Sequence, residues 1–133
     1  MTEFFMAMVP PTATAQQHKI SKGRFYDPPE VKAARAKLMA NLARYKPADK
    51  YTGPVRLVTK WCFPIIGKHK DGEYKYTRPD TDNLQKLLKD CMTVCSYWKD
   101  DSLVCSEVIE KFWAAVPGIY IRIEAIGGKI NEK

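Results

Sequence analysis

Residues 78–101, RPDTDNLQKLLKDCMTVCSYWKDD, combine an apolar helical stripe with five aspartates. Apolar residues recur there at helical spacing and predict a helix at about residues 82–95, with this stripe facing the core. The stripe consists of Leu84, Leu87, Leu88, Cys91 and Cys95. Lys86 follows Asp82 by four residues, so both side chains should lie on one face and point away from the core. The stretch therefore predicts a helix with one packed face and one charged face.

Strand-like segments precede and follow this helix. Alternating apolar and polar residues predict strands at 3–9, 55–63, 103–113 and 119–126, and a second apolar stripe predicts a helix from about residue 30 to residue 45. Only a short turn, Val116-Pro117-Gly118, separates the last two strands, so we expect them to pair as an antiparallel hairpin. The tail from Gly127 to Lys133 is expected to fray.

The order of these elements is strand, helix, strand, helix, strand, strand. It predicts an α/β fold of the α+β type, in which two main helices pack on one mixed β-sheet. The chain has 133 residues, of which 45% are hydrophobic. That is enough for one compact domain, expected to span residues 1–133, and too little for two.

The charge balance favours a polyanionic partner. Twenty-two lysines and arginines stand against fifteen acidic residues, which gives a formal net charge of +7. Such an excess suits nucleic acid or an anionic membrane, although a basic protein without such a partner remains an alternative. No apolar run approaches the ~20 residues of a membrane-spanning helix. The start, Met1-Thr2-Glu3, lacks the basic region of a signal peptide, so a cytoplasmic location is expected.

Two basic segments are candidates for binding DNA. Cations that precede or adjoin Phe25 and Tyr26 suit phosphates and stacked bases, and a second basic excursion covers residues 67–73. The candidate DNA-binding residues are Lys19, Lys22, Arg24, Lys68 and Lys70. The alternative for the first segment is an ordinary solvated loop.

Four cysteines raise the question of a zinc site. In a reducing compartment they should be free thiols. Cys91 and Cys95 lie four apart on one helix face and could share a metal, but no Cys-x-x-Cys pair or histidine-rich partner supports zinc. Buried structural cysteines are therefore the preferred interpretation.

The aspartates suggest catalysis with a divalent cation. Asp80 and Asp82 stand at the start of the predicted helix, and Asp100 and Asp101 follow about twenty residues later. Mg²⁺ prefers oxygen ligands, and it can activate water and stabilise charge on a phosphate. Lys86 could hold that phosphate. The alternatives are that Asp80 or Asp82 caps the helix, that Lys86 forms a surface ion pair, and that the later aspartates only form a turn.

The complete pattern is more specific than its parts. RPDTDNLQK at 78–86, Asp90 and WKDD at 98–101 together resemble the signature of the RusA-type Holliday junction resolvases. In that family a DxDN segment starts a helix, a lysine follows the asparagine by three, and paired aspartates come after an aromatic residue. Lys111 in a late strand is a looser similarity. Ser96-Tyr97 departs from the pattern, because a glycine is usual before the aromatic.

The resemblance implies a homodimeric, Mg²⁺-dependent crossover junction endodeoxyribonuclease, with Mn²⁺ able to substitute. Such an enzyme resolves four-way DNA junctions by paired nicks during recombination and repair. The carried-over catalytic residues are Asp80, Asp82, Asp101 and Lys86, of which the three aspartates would be metal ligands. Whether Asp100 is a further ligand stays open, as does the role of Asp90.

Two other functions compete with this one. In a non-catalytic nucleic-acid-binding protein the acids would cap a helix and the basic loops would bind, yet such a protein gains nothing from carboxylates beside its basic surface. A zinc-stabilised interaction module lacks enough ligands.

Overall fold

The computed structural model describes residues 1–14, 19–21, 24–26 and 28–127, with backbone only for 19–21 and 24–26. Its main sheet contains four strands, and two helices accompany it. The elements are β1 Thr2–Met6, β2 Lys19–Ser21, β3 Arg24–Tyr26, α1 Pro29–Tyr45, β4 Val55–Pro64, α2 Thr81–Val94, a 3₁₀ turn Asp101–Leu103, β5 Val104–Ala114 and β6 Gly118–Ala125. Neither helix within the described ranges has the length and apolarity to cross a membrane.

The main sheet is mixed. Its strand order is β1-β6-β4-β5, where β4 runs parallel to β5 and antiparallel to β6, and β6 runs antiparallel to β1. Side chains of both helices join those of the sheet in one core cluster, for example Leu42 of α1, Leu88 of α2 and Trp61 of β4. The predicted fold class, a mixed sheet with two packed helices, is confirmed.

The predicted hairpin of the last two strands is wrong. β5 and β6 do not pair with each other, because β4 lies between them: Trp61 faces Lys111 on one side and Ile119 on the other. Four Cα steps from Ala114 to Gly118 can span about 13 Å, whereas two strand spacings need only about 9.6 Å. The short turn can therefore straddle one strand as easily as it can close a hairpin.

Burial explains why β4 takes the central position. Its apolar side chains are almost completely enclosed, including Val58 on the face that the alternation assigned to polar residues. The buried residues of β4 are Val55, Leu57, Val58, Thr59, Trp61 and Phe63. Neighbouring strands on both edges remove this surface from water, which an edge position could not do.

Both helices bury their predicted stripes, with small differences. Leu38 and Leu42 of α1 and Leu87 of α2 are fully enclosed, whereas Cys95 is half-buried.

Strand β1 ends at Met6 rather than at residue 9, because Met6 pairs with Ile119 near the first residue of β6 and no partner remains beyond it. The expected loop around residues 19–26 contains the short pair β2–β3. Of the tail, residues 128–133 lie outside the described residues.

Candidate active site

A solvent-accessible cavity of about 570 Å³ is lined by residues of α2, the 3₁₀ turn and β5. We call it the acidic cavity. Its lining residues are Asp82, Gln85, Lys86, Lys89, Asp90, Asp101, Glu107 and Ile109. The structure thus brings together Asp82, Lys86 and Asp101, three of the four predicted catalytic residues, which the sequence separates by up to nineteen positions.

The non-core face of α2 supplies most of this lining. Positions 82, 85, 86, 89 and 90 contribute, and each is three or four residues from another of them, so they share one side of the helix. Asp82 and Lys86 are both exposed, as predicted. Among the described residues, no ion pair joins Lys86 to an acid, whereas Lys89 pairs with Glu107 at 2.8 Å. The alternative that Lys86 merely forms a surface ion pair with Asp82 or Asp90 is therefore wrong.

Asp90 has a partner of its own. Its carboxylate lies 3.7 Å from the guanidinium of Arg35 on α1. The helix pair thus uses Asp90 as a link between α1 and α2, although its side chain also lines the acidic cavity.

The end of α2 directs the chain back towards the cavity. Tyr97 N–H donates to Met92 O and Ser96 N–H to Thr93 O, both at 3.0 Å, which is the Schellman arrangement. Ser96 has φ 64° and so lies in the left-handed region that glycine adopts most easily. Glycine would adopt this conformation without the steric cost that serine bears. With serine here the chain still forms the Schellman turn that leads to Trp98 and Asp101.

Two buried aromatic residues then fix the connection. The Tyr97 hydroxyl donates to Leu42 O at 2.6 Å, and the Trp98 indole donates to Thr93 Oγ1 at 2.8 Å. Both rings are at most 1% exposed. Tyr97 is hydrogen-bonded to α1 and Trp98 to α2, and these bonds fix the backbone that leads to Asp101.

Asp80 and Asp100 lie just outside this set. Asp100 accepts a hydrogen bond from Ser102 N–H at 3.1 Å and caps the 3₁₀ turn. Asp80 occupies the N-cap position of α2, where its carbonyl accepts from Leu84 N–H, but its side chain makes no capping hydrogen bond. Neither aspartate lines the acidic cavity, although Asp80 is only two residues from Asp82.

A lysine that the sequence only hinted at lies beside Asp80. The ammonium of Lys111 on β5 donates to Thr77 O and to Pro79 O, each at 2.7 Å. Burial lowers the pKa of Lys111, and the nearby carboxylate of Asp80 opposes that shift. Lys111 thus connects β5 to the residues that lead into α2.

Lys75 approaches the same loop from the core. Its buried ammonium donates to Thr77 Oγ1 at 2.6 Å and to Arg78 O, and it lies about 5 Å from the ring centres of Phe63 and Trp113. Burial lowers the pKa of Lys75, and the charge of Lys111 lowers it further. No helical or strand periodicity marks Lys75, so only the tertiary contacts reveal it.

A buried chain of hydrogen bonds connects β4 to Gln85, which lines the acidic cavity. The Trp61 indole donates to Thr59 Oγ1 at 3.1 Å, and Thr59 donates to Gln85 Oε1 at 2.9 Å. Gln85 is 2% exposed, and among the described residues its Nε2 has no hydrogen-bond partner. An amide donor left in this way suits an acceptor oxygen and not a cation.

The carboxylates fit a hydrated Mg²⁺ better than a caged metal. Among the described residues, no group of three or more His, Cys, Asp or Glu side chains could hold a metal ion by itself. A closed zinc site is thereby absent from the described part of the chain, and the four cysteines are free. Mg²⁺ instead uses one or two carboxylates together with water and substrate phosphates. Asp82 and Asp101, which share one cavity, satisfy that requirement.

The predicted DNA-binding residues fall in two regions. Lys68 and Lys70 are exposed on the excursion after β4. The ring of His69, between them, stacks on the ring of Trp113 with 4.5 Å between ring centres, and this contact attaches the excursion to β5. Lys19 and Arg24 belong to the short pair β2–β3, of which only the backbone is described, and Lys22 lies outside the described residues.

The site defines a class of protein. Carboxylates that can hold a divalent cation lie beside a lysine that can hold a phosphate, as in enzymes that cleave phosphate esters. The cavity is open and strongly charged, unlike a pocket for a small apolar ligand.

Comparisons with known proteins specify the family. Residues 8–124 match the family model described as "Endodeoxyribonuclease RusA". A crossover junction endodeoxyribonuclease RusA from Lactococcus phage r1t is 33% identical over 106 residues, which cover 77% of this chain and 79% of the phage protein. The chain therefore belongs to the RusA family of endodeoxyribonucleases, and the resemblance seen in residues 78–101 is confirmed.

Proposed function

We propose that this protein is a Mg²⁺-dependent, structure-selective endodeoxyribonuclease that resolves four-way DNA junctions by paired nicks during recombination and repair. The observation that carries this proposal is the acidic cavity, which Asp82, Asp101 and Lys86 line together. Within the described part of the chain, no acid forms an ion pair with Lys86. The phage relative named as a crossover junction endodeoxyribonuclease supports the junction as substrate.

The carboxylates would hold the metal. Asp82 and Asp101 are the ligands in the cavity, and Asp80 at the adjacent helix start is the third candidate. When bound, Mg²⁺ supplies an activated water and stabilises charge on the phosphate that is cut. Lys86 binds and orients that phosphate with its ammonium, since no acidic side chain among the described residues competes for it.

The basic surface would bind the arms of the junction. Lys68 and Lys70 are exposed, and Lys19, Lys22 and Arg24 are the further candidates. Such contacts release counterions, so affinity should fall steeply with salt. In the absence of a metal the aspartates repel DNA phosphates, and a bound cation removes that repulsion. A bound cation would therefore strengthen DNA binding beside the carboxylates that cleavage requires.

The symmetry of the substrate favours a homodimer. A four-way junction has approximate two-fold symmetry, and one domain with one acidic cavity makes one cut at a time. Two copies related by a two-fold axis would present two cavities to opposed strands. The chain has a mass of 15.2 kDa, so light scattering of the purified protein without DNA should give a mass of about 30 kDa. The enzyme would act in the cytoplasm.

Cleavage of a synthetic four-way junction tests the function. Each strand is labelled in turn, and the protein is added with Mg²⁺, with Mn²⁺ or with a chelator. We expect two symmetrically opposed nicks with either metal, none with the chelator, and no cut in linear duplexes of the same sequence. Tight, salt-sensitive junction binding without any nick under all three conditions would instead support the non-catalytic binding protein.

A further inference from the structure

Residues 77–79 form a short loop whose two ends are held by one ammonium group. Thr77 O and Pro79 O both accept hydrogen bonds from Lys111 Nζ at 2.7 Å, although 32 to 34 residues separate the partners in sequence. Asp80 follows this loop directly. Whatever fixes the loop therefore also fixes the backbone from which the Asp80 side chain projects.

Lys75 holds the same loop from its other side. Its ammonium donates to the hydroxyl and carbonyl oxygens of Thr77, and its backbone N–H donates to Lys111 O at 3.0 Å. The rings of Phe63 and Trp113 enclose the charge. We call Lys75 and Lys111 the lysine pair. It joins the loop both to the core and to β5.

A lysine on an edge strand would ordinarily keep its ammonium in water. Lys111 is instead half-buried, and its ammonium donates two of its three N–H groups to backbone carbonyls. The charge of the nearby Asp80 carboxylate only opposes the lowering of the Lys111 pKa by burial, and among the described residues the two groups form no ion pair. The link between Lys111 and Asp80 is therefore the loop that Lys111 holds.

The side chain of Asp80 is not engaged in capping α2. An aspartate at the N-cap commonly accepts from an N–H of the first helical turn, yet Asp80 makes no such bond. We propose that Lys111 is a positioning residue of the cleavage site: by holding the 77–79 loop it fixes the backbone position of Asp80, the third candidate metal ligand. This inference rests on the proposed function.

The test compares Lys111→Met, Lys111→Arg and, as a matched control, Lys60→Met. Lys60 is an exposed lysine of β4 whose ammonium lies over the ring of Tyr120, and it makes no contact with the 77–79 loop. Four quantities are measured: the single-turnover nicking rate, junction affinity without metal, Mn²⁺ binding to the DNA-free protein by electron paramagnetic resonance, and the melting temperature.

We expect Lys111→Met to lower the nicking rate and the Mn²⁺ affinity by about 10–100-fold, as is typical for residues that orient metal ligands. Junction affinity without metal should stay within about twofold, because no DNA contact is removed. Lys111→Arg should recover most of both losses, since a guanidinium can also donate to two carbonyls. Lys60→Met should match the wild type in all four measurements.

Folded Lys111→Met protein that nicks DNA and binds Mn²⁺ like the wild type overturns the inference. If Lys111→Met does not fold, Lys111→Arg decides: folded protein with less than about a tenth of the wild-type rate and Mn²⁺ affinity overturns it, and near-normal values support it. Wild-type protein that fails to nick junctions defeats the proposed function instead, while the Mn²⁺ comparison still tests the position of Asp80.

Discussion

The start of α2 and the start of the 3₁₀ turn have the same local design but use it differently. Each begins with an aspartate in extended backbone, Asp80 or Asp100, and each has an aspartate of the acidic cavity within the next two residues. Asp100 accepts from Ser102 N–H at 3.1 Å, whereas the Asp80 side chain makes no capping bond and lies near Lys111. The capping bond of Asp100 agrees with the structural alternative raised for these acids, whereas the Asp80 side chain makes no such bond.

The difference shows that the residue type at an N-cap position does not decide whether the side chain caps the helix. Either aspartate could accept a hydrogen bond from the first N–H groups of its helix, yet only Asp100 does so. Among the described residues neither aspartate forms an ion pair, so the difference lies in the capping bond. Substitutions at both starts can therefore separate the two roles.

The largest effect is expected in the cavity itself. Asp82→Asn or Asp101→Asn should each reduce the nicking rate by more than about 100-fold, because each removes a proposed metal ligand. Loss of a residue that only orients a metal ligand typically costs about 10–100-fold. Junction affinity should be unchanged or higher, since one charge that repels phosphate is lost. Single-turnover cleavage and metal-free binding measure the two effects. Glu110→Gln is the control, because Glu110 binds the Tyr74 hydroxyl and does not line the cavity. A near wild-type rate for either aspartate variant would remove that residue from the site.

An intermediate effect should distinguish the two helix starts. Asp80→Asn is expected to slow nicking about 10–100-fold, as the loss of a carboxylate beside the metal. Asp100→Asn should slow it less than about threefold, because asparagine accepts the same capping bond from Ser102 N–H. Both variants are compared on one junction under single-turnover conditions. Equal losses would show that Asp100 also serves the metal and that the two starts do not differ in role.

The smallest effect concerns stability. Asp100→Ala should lower the free energy of unfolding by about 0.5–1 kcal/mol through the lost cap of the 3₁₀ turn. Asp80→Ala should lower it by less, since no side-chain cap is removed. Urea unfolding followed by tryptophan fluorescence measures both values. A larger loss for Asp80→Ala would mean that its carboxylate stabilises α2 after all.

Local periodicity allowed the buried and exposed faces of α2 to be predicted. Leu84, Leu87 and Leu88 are buried as expected, and Asp82 and Lys86 lie on the exposed face. Helical spacing alone decides which side chains share a face, so no knowledge of the rest of the chain was needed. The RusA-type pattern then indicated that Asp101 belongs with Asp82, and both line the acidic cavity.

Pairing between distant segments could not be predicted in the same way. The turn between β5 and β6 is long enough either to close a hairpin or to pass β4, and the deep burial of β4 determined the outcome. The lysine pair depends on that outcome as well, because β5 places Lys111 beside the 77–79 loop only as the parallel neighbour of β4.

The sequence by itself determined the helices, their buried faces, the charged face with Asp82 and Lys86, and membership of a nuclease family. Each of these follows from residues close together in the chain or from a contiguous pattern. The tertiary structure alone decided the strand order and the contacts of Lys111 with the 77–79 loop. Both depend on contacts between residues more than thirty positions apart. Sequence spacing carries no information about such contacts until the strands have found their partners.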